Sequence, residues 1–223
     1  MADIFVCNQL RLPISQLNAA GLGQDTRKEQ IMRLTTRLIT LAGLLSGWLL
    51  ADACSRGDET TLNIGDVAPE FVCLDDQGQT WKSKDHIGQR MLVVYFYSSD
   101  FSFCCTRQAE RYRDRLRELC DHGVEVVGIS GDAVEAHQLF QAAHKLNFSL
   151  LSDGDGDVAR KFGVPLRVGG KAMIPRAIPR SFTSARWTFI ISQEGRVIYR
   201  DTEVHPVKDS QNVLDFVRKL DTK

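Results

Sequence analysis

None of the six cysteines are spaced as Cys-x-x-Cys. That absence excludes the dithiol-exchange motif and, with no histidine at ligand spacing, a zinc framework. Six thiols in 223 residues are also too few for a disulfide scaffold. Charge of one sign is missing as well. The 28 Lys and Arg residues balance 28 Asp and Glu, so no bulk field draws the chain to nucleic acid or anionic lipid. Repeats and low-complexity segments are absent. No apolar run reaches the length a bilayer requires: the uncharged stretch Leu38 to Ala51 is too short to span comfortably and has the size of a signal-peptide core.

What is present divides the chain. Arg33 and Arg37 precede that apolar stretch, and Ala51-Asp-Ala53 follows as an Ala-x-Ala cleavage pattern directly before Cys54. Met32 opens the segment. The expected organisation is an upstream extension over 1–31, a signal peptide or membrane anchor over 32–53, a polar linker over 54–61 and a single domain over 62–223. Export to a periplasm or equivalent lumen is the reading this favours, with a cytoplasmic location as the alternative. Residues 38–51 as an anchor and Cys54 as a lipid attachment point are two routes to a membrane.

Within 62–223 strands alternate with helices. A hairpin is expected around Phe71–Leu74 and Gln79–Trp81, then a buried strand over Met91–Tyr97 and a helix over Thr106–Asp121. Val124–Ser130 reads as a second buried strand. Asp132 and Glu135 read as a capping box for a helix whose apolar face is Ala136, Leu139, Phe140, Ala143 and Leu146. A short strand at Phe148–Leu151, a short helix at Val158–Phe162, a hairpin over Trp187–Arg200 and a helix over Ser210–Leu220 complete an α/β sheet with helices on both faces. Residues 166–185, rich in Gly, Pro and Arg, read as a long loop, either a lid or a solvated insertion. Asp153-Gly-Asp-Gly-Asp157 lacks the glycine and glutamate of a calcium loop and reads as a capped helix start. The histidines show no catalytic spacing and read as surface residues.

Chemistry is expected at Cys105. It sits where the buried strand gives way to the amphipathic helix that carries Ala109, Tyr112, Leu116 and Leu119. A thiol in the first turn of a helix feels unpaired N–H groups and the positive end of the macrodipole. Both favour thiolate, the nucleophilic form.

Several blocks resemble the peroxiredoxin family, in particular its bacterioferritin-comigratory (Q-type) branch. In order they are Gly65-Asp-x-Ala-Pro-x-Phe71, Val93-Val-Tyr-Phe-Tyr97, Cys105-Thr-Arg-Gln-Ala, Gly123 to Ser130, Leu150-Leu-Ser-Asp153, Gly163-Val-Pro165 and Arg186-x-Thr-Phe-Ile-Ile191. The resemblance implies a thioredoxin-like fold, a central mixed sheet with helices on both faces. It also implies a thiol-specific peroxidase that reduces hydrogen peroxide and organic hydroperoxides without metal or organic cofactor. A thioredoxin-like protein or a small thiol would serve as reductant, and the chain would work as a monomer or dimer. Cys105 would be the peroxidatic nucleophile, Ser102 the signature hydroxyl, and Arg186 the guanidinium that steadies the thiolate. Ser98 stands where the family has proline, which implies a wetter, more mobile pocket. Two other functions compete: a redox-responsive or structural thioredoxin-fold protein with a degenerate site, and a thiol–disulfide oxidoreductase.

Regeneration of the thiol is less determined. Glu110 occupies the position where many Q-type members carry a second cysteine. Cys120 lies fifteen residues along the helix, roughly 22 Å away at helical rise, and is expected to pack beside Leu116 and Leu119. Cys104 adjoins Cys105, and a vicinal disulfide there would be strained. Cys73 and Cys54 could resolve only if the fold brought them close. A one-cysteine mechanism with an external thiol is the favoured expectation.

Overall fold

A computed structural model of the chain describes residues 61–168 and 182–222. The expectations for 1–31, 32–53 and 54–60, and for the middle of the 166–185 loop, lie outside these residues. The described residues belong to one compact unit, Gly57–Lys223.

The strands are β1 (Val72–Asp75), β2 (Thr80–Lys82), β3 (Met91–Phe96), β4 (Val124–Ser130), β5 (Ser149–Ser152), β6 (Leu166–Val168), β7 (Phe182–Ser184), β8 (Thr188–Ile191) and β9 (Val197–Asp201). The helices are α1 (Phe103–Asp121), α2 (Val134–His144), α3 (Asp157–Lys161) and α4 (Asp209–Asp221). Seven strands form one sheet in the order β2-β1-β5-β4-β3-β8-β9. β3, β4 and β5 run parallel, while β1 and β8 pair antiparallel to β5 and β3. Parallel strands covered on both sides read as nearly continuous apolar runs, which is why Met91–Tyr97 and Val124–Ser130 were legible.

Side chains of β3 alternate between two cores. Leu92, Val94 and Phe96 join Phe71, Cys73, Trp81, Phe162 and Phe189, under α3 and the N-terminal segment. Val93, Tyr95 and Tyr97 join Cys105, Ala109, Tyr112, Phe140 and Val213, under α1, α2 and α4. The sheet is therefore mixed and covered on both faces. Its centre is tight. A Cβ on Gly128 would stand 2.7 Å from the Cζ and hydroxyl of Tyr95 and 3.0 Å from Leu150 Cδ2. Gly128→Ala is expected to cost about 2 kcal/mol, read as a lowered urea midpoint at unchanged slope.

Four local expectations change. Asp132 does not cap α2, because Ala133 is the N-cap and provides no side-chain bond. The Asp132 carboxylate instead accepts from the Asp100 N–H at 2.8 Å and the Ser130 hydroxyl at 2.9 Å. The buried face of α2 is His137 and Phe140, whereas Leu139 is 59% exposed. A histidine enters the core because a carboxylate waits for it there, a tertiary effect that apolar periodicity does not register. Cys120 is exposed, since Leu119 takes the inward position and the next residue turns about 100° away. The 166–185 stretch is not a loop throughout. Its arms, β6 and β7, pair antiparallel from Leu166↔Ser184 to Val168↔Phe182.

Candidate active site

β3 ends at Phe96, and the chain turns through Tyr97–Ser102 before α1 begins. Ser102 is the N-cap of α1: its hydroxyl accepts from the Cys105 N–H at 3.4 Å and donates to the Ser99 carbonyl at 3.1 Å. Phe101 adopts φ of 57°, a left-handed conformation unfavourable for an aromatic residue, and its ring packs edge-on against Phe140 at 5.1 Å. Surrounding bonds hold this turn in place. The Tyr97 hydroxyl donates to Asp100 at 2.8 Å, the Asp100 N–H donates to Asp132, and Ser184 donates to the Tyr97 carbonyl at 2.9 Å.

His137 completes the clamp, its Nδ1 lying 2.8 Å from Asp100 Oδ2 with both side chains buried. Burial pulls the imidazole down, but the Asp100 bond and charge, with Asp132 and the Leu151 carbonyl, outweigh it and raise it above 6.5. A raised histidine stabilises the fold fully below the unfolded value and loses that contribution as pH rises through the folded one. His137→Gln, which takes the imidazole from a buried carboxylate and leaves it the Tyr97 hydroxyl, is expected to cost about 3 kcal/mol near pH 6. That cost should shrink as pH rises, measured as the difference in urea midpoints between the two proteins.

The sulfur of Cys105 sits just beyond this turn, in a residue only 1% exposed. Ser98 Oγ is 3.3 Å from Cys105 Sγ, and Arg186 Nη2 donates to the same sulfur at 3.4 Å. Burial by itself pushes the Cys105 thiol up. The Arg186 guanidinium, the Ser102 and Ser98 hydroxyls and the Ser99 N–H outweigh burial and hold it below the ordinary value of 9.0. The expected wetter pocket at Ser98 is not what the structure has. A hydroxyl replaces the proline ring and stands within hydrogen-bond distance of the sulfur, which is buried.

The three residues singled out in the sequence thus converge. Arg186 reaches across from the segment before β8, and its other nitrogen, Nη1, donates to Gln108 Oε1. The other thiols among the described residues do not converge. Cys73 belongs to the opposite core, and burial, with nearby Asp153 and Asp155, pushes its thiol up to about 12. Cys104 and Cys120 are exposed. Glu110, in place of a second cysteine, is paired with His144 Nδ1 at 3.2 Å. The aspartates after β5 serve helix α3, with Asp153 accepting from the Val158 and Ala159 N–H groups. Sequence reasoning missed Gln108, Ser98 as a partner of the sulfur, Asp100 and His137. Gln108 was within reach, three residues past Cys105 on the same helical face. The Asp100–His137 pair spans 37 positions and left no local signal.

A thioredoxin-like sheet with an activated, sheltered thiol at a strand-to-helix junction defines a class, the thiol-dependent redox enzymes. Comparison with known proteins narrows it. The family model described as AhpC/TSA matches residues 64–200. A putative peroxiredoxin bcp of Coxiella burnetii is 35% identical over 161 residues, covering 72% of this chain and 99% of that protein. A chloroplastic peroxiredoxin Q of Oryza sativa subsp. japonica is 33% identical over 157 residues, covering 70% of this chain and 67% of that protein. Among solved structures, peroxidoxin BcpB of Mycobacterium tuberculosis superposes with a TM-score of 0.62 at 26% identity, covering 71% of this chain and 98% of that one. The bacterioferritin comigratory protein of Xanthomonas campestris, studied for alkyl peroxide reduction, gives 0.60 at 26% identity over 71% of this chain and 97% of that one. The chain belongs to the AhpC/TSA family of peroxiredoxins, alongside the peroxiredoxin Q and bcp proteins. It is a thiol peroxidase, an enzyme that takes a hydroperoxide and a thiol reductant.

Proposed function

We propose that this chain is a one-cysteine peroxidase in which Cys105 alone carries the redox chemistry. The observation that carries this reading is the set of contacts on Cys105 Sγ: a guanidinium and a hydroxyl within hydrogen-bond distance of a buried sulfur. The thiolate attacks one peroxide oxygen, the O–O bond breaks, and the other oxygen leaves as water or an alcohol after taking a proton. Cys105 is oxidised to sulfenic acid and the peroxide is reduced. Arg186 and the N–H groups of the first turn stabilise charge on the oxygens in flight, and Ser98 and Ser102 orient them. An external thiol then condenses with the sulfenic acid, releasing water and leaving a mixed disulfide. A second thiol exchanges with that disulfide and returns Cys105 to thiolate.

Among the described residues, geometry disfavours an internal resolver. Cys73 faces the other core, Cys120 lies at the far end of α1, and Cys104 is locked beside Cys105 in a helical turn. The alternatives have less support: dithiol exchange lacks a Cys-x-x-Cys partner, and a degenerate site gives no account of the guanidinium and hydroxyl gathered on Cys105 Sγ. The test is a chain stripped of every cysteine except Cys105. It should consume hydrogen peroxide with dithiothreitol as well as the full complement does, and loss of turnover would sink the one-cysteine reading.

The proposal extends to location, on the strength of the leader-like segment. The basic, apolar and Ala-x-Ala order of 32–53 supports export, with Cys54 as the first mature residue and a site for lipid. An exported enzyme would draw its electrons from a thiol carrier of that compartment. N-terminal sequencing of the protein from its host tests cleavage: a mature chain beginning at Cys54 is the expected result, and an intact 1–53 would refute it.

A further inference from the structure

Asp209 has no exposure, and the chemistry above gives it no role. It stands in the first turn of α4, and three donors from two elements converge on one of its oxygens. Gln108 Nε2 is at 2.6 Å, the Tyr112 hydroxyl at 2.8 Å and the Thr188 hydroxyl at 3.0 Å. Its other oxygen, Oδ1, has no hydrogen-bond partner among the described residues. Neutral, well-packed groups would fill such a place at less cost than a carboxylate does.

The arrangement makes sense through Gln108. An ionised carboxylate only accepts hydrogen bonds. With Nε2 of Gln108 donating to Asp209, the amide must present Oε1 at its other side, and Oε1 accepts from Arg186 Nη1. Arg186 Nη2 donates in turn to Cys105 Sγ. Turned over, the amide would set its NH2 against the guanidinium, donor against donor. We propose that Asp209 is a positioning residue for the peroxide-reducing thiol, its carboxylate fixing the Gln108 amide so that the amide oxygen holds Arg186 against Cys105. This rests on the reading of Cys105 as the peroxidatic nucleophile.

The relay has a pH signature. Burial pushes the Asp209 carboxyl up to about 6, against the bonds from Gln108, Tyr112 and Thr188 and with help from Asp201. The groups facing it are Tyr112 from α1, Thr188 from β8, Asp201 and Tyr199 from β9, and Tyr95 from β3. Protonation makes the carboxyl a weaker acceptor, so the Gln108 amide is held less firmly in that orientation. Thiolate support therefore weakens as pH falls through about 6. Stability moves the other way, because the folded state takes up this proton more readily than the unfolded one.

The experiment follows Cys105 alkylation by iodoacetamide against pH, resolved by peptide fragmentation, in the full chain. The proteins are wild type, Asp209→Asn, Gln108→Leu and the double variant. Each single substitution should raise the alkylation midpoint by roughly one pH unit, and the double should match Gln108→Leu alone. Asp209→Asn should melt no lower than wild type at pH 7. An unshifted midpoint in Asp209→Asn, or additive shifts in the double, overturns the proposal. So does an Asp209→Asn chain that fails to fold, since the carboxylate would then be a structural necessity. Alkylation needs no peroxide, so a wild type without peroxidase activity would sink the proposed function while the profile still decides on Asp209.

Discussion

Cys105→Ser is expected to abolish peroxide consumption, a fall of roughly 10⁴-fold or more, because among the described thiols Cys105 is the one whose sulfur meets a guanidinium. The fold should survive. A serine hydroxyl at this buried position inherits Ser98 and Arg186 as partners, so no polar group is left unsatisfied. Cys104→Ser is the matched control. Its thiol is exposed and makes none of these contacts, and turnover should stay within about two-fold of wild type. A coupled assay at saturating reductant separates the two, and near-equal losses in both variants would contradict the assignment.

Arg186→Met is expected to be the next most damaging change. The guanidinium is the largest influence holding the thiol down against burial, and it is also a donor aimed at the oxygens of the transition state. Its loss should lower kcat/KM by about 10²–10³-fold at neutral pH. The pH dependence separates the two contributions. With Arg186 gone, burial dominates and the thiol moves up, so the rate should climb about ten-fold per pH unit well past the point where wild type levels off. The deficit that persists at high pH, where both thiols are ionised, measures stabilisation of the reacting oxygens alone. A wild-type pH profile in Arg186→Met would show that the contact with Cys105 is incidental.

Much of this architecture was legible from residue order because local and global preferences agree. The β3 and β4 runs are apolar on both faces, and such strands belong between helix layers. The switch to helical spacing from Thr106 placed Cys105 at the start of a helix, and the structure has it in the first turn of one that begins at Phe103. What escaped was set by contacts between distant positions. His137 is buried because Asp100 awaits it, and Asp132 left its expected cap to hold the same turn. Cys120 was misjudged by one position, the difference between the inward Leu119 and the outward neighbour. β6 and β7 were hidden by the Gly- and Pro-rich residues between them, although Leu166–Val168 and Phe182–Ser184 pair in register. At the site, Cys105, Ser102 and Arg186 could be named from motifs. Ser98 could be named only as a departure, and that it offers a hydroxyl to the sulfur needed three-dimensional proximity.

The central claim is that one sulfur among six meets the peroxide. A single equivalent of hydrogen peroxide, followed at once by a sulfenic-acid trap and peptide-level mass spectrometry, tests it on the intact chain. The account predicts the trapped adduct on Cys105, with the other five cysteines still reduced. An adduct on any of those five while Cys105 remains a thiol would contradict it.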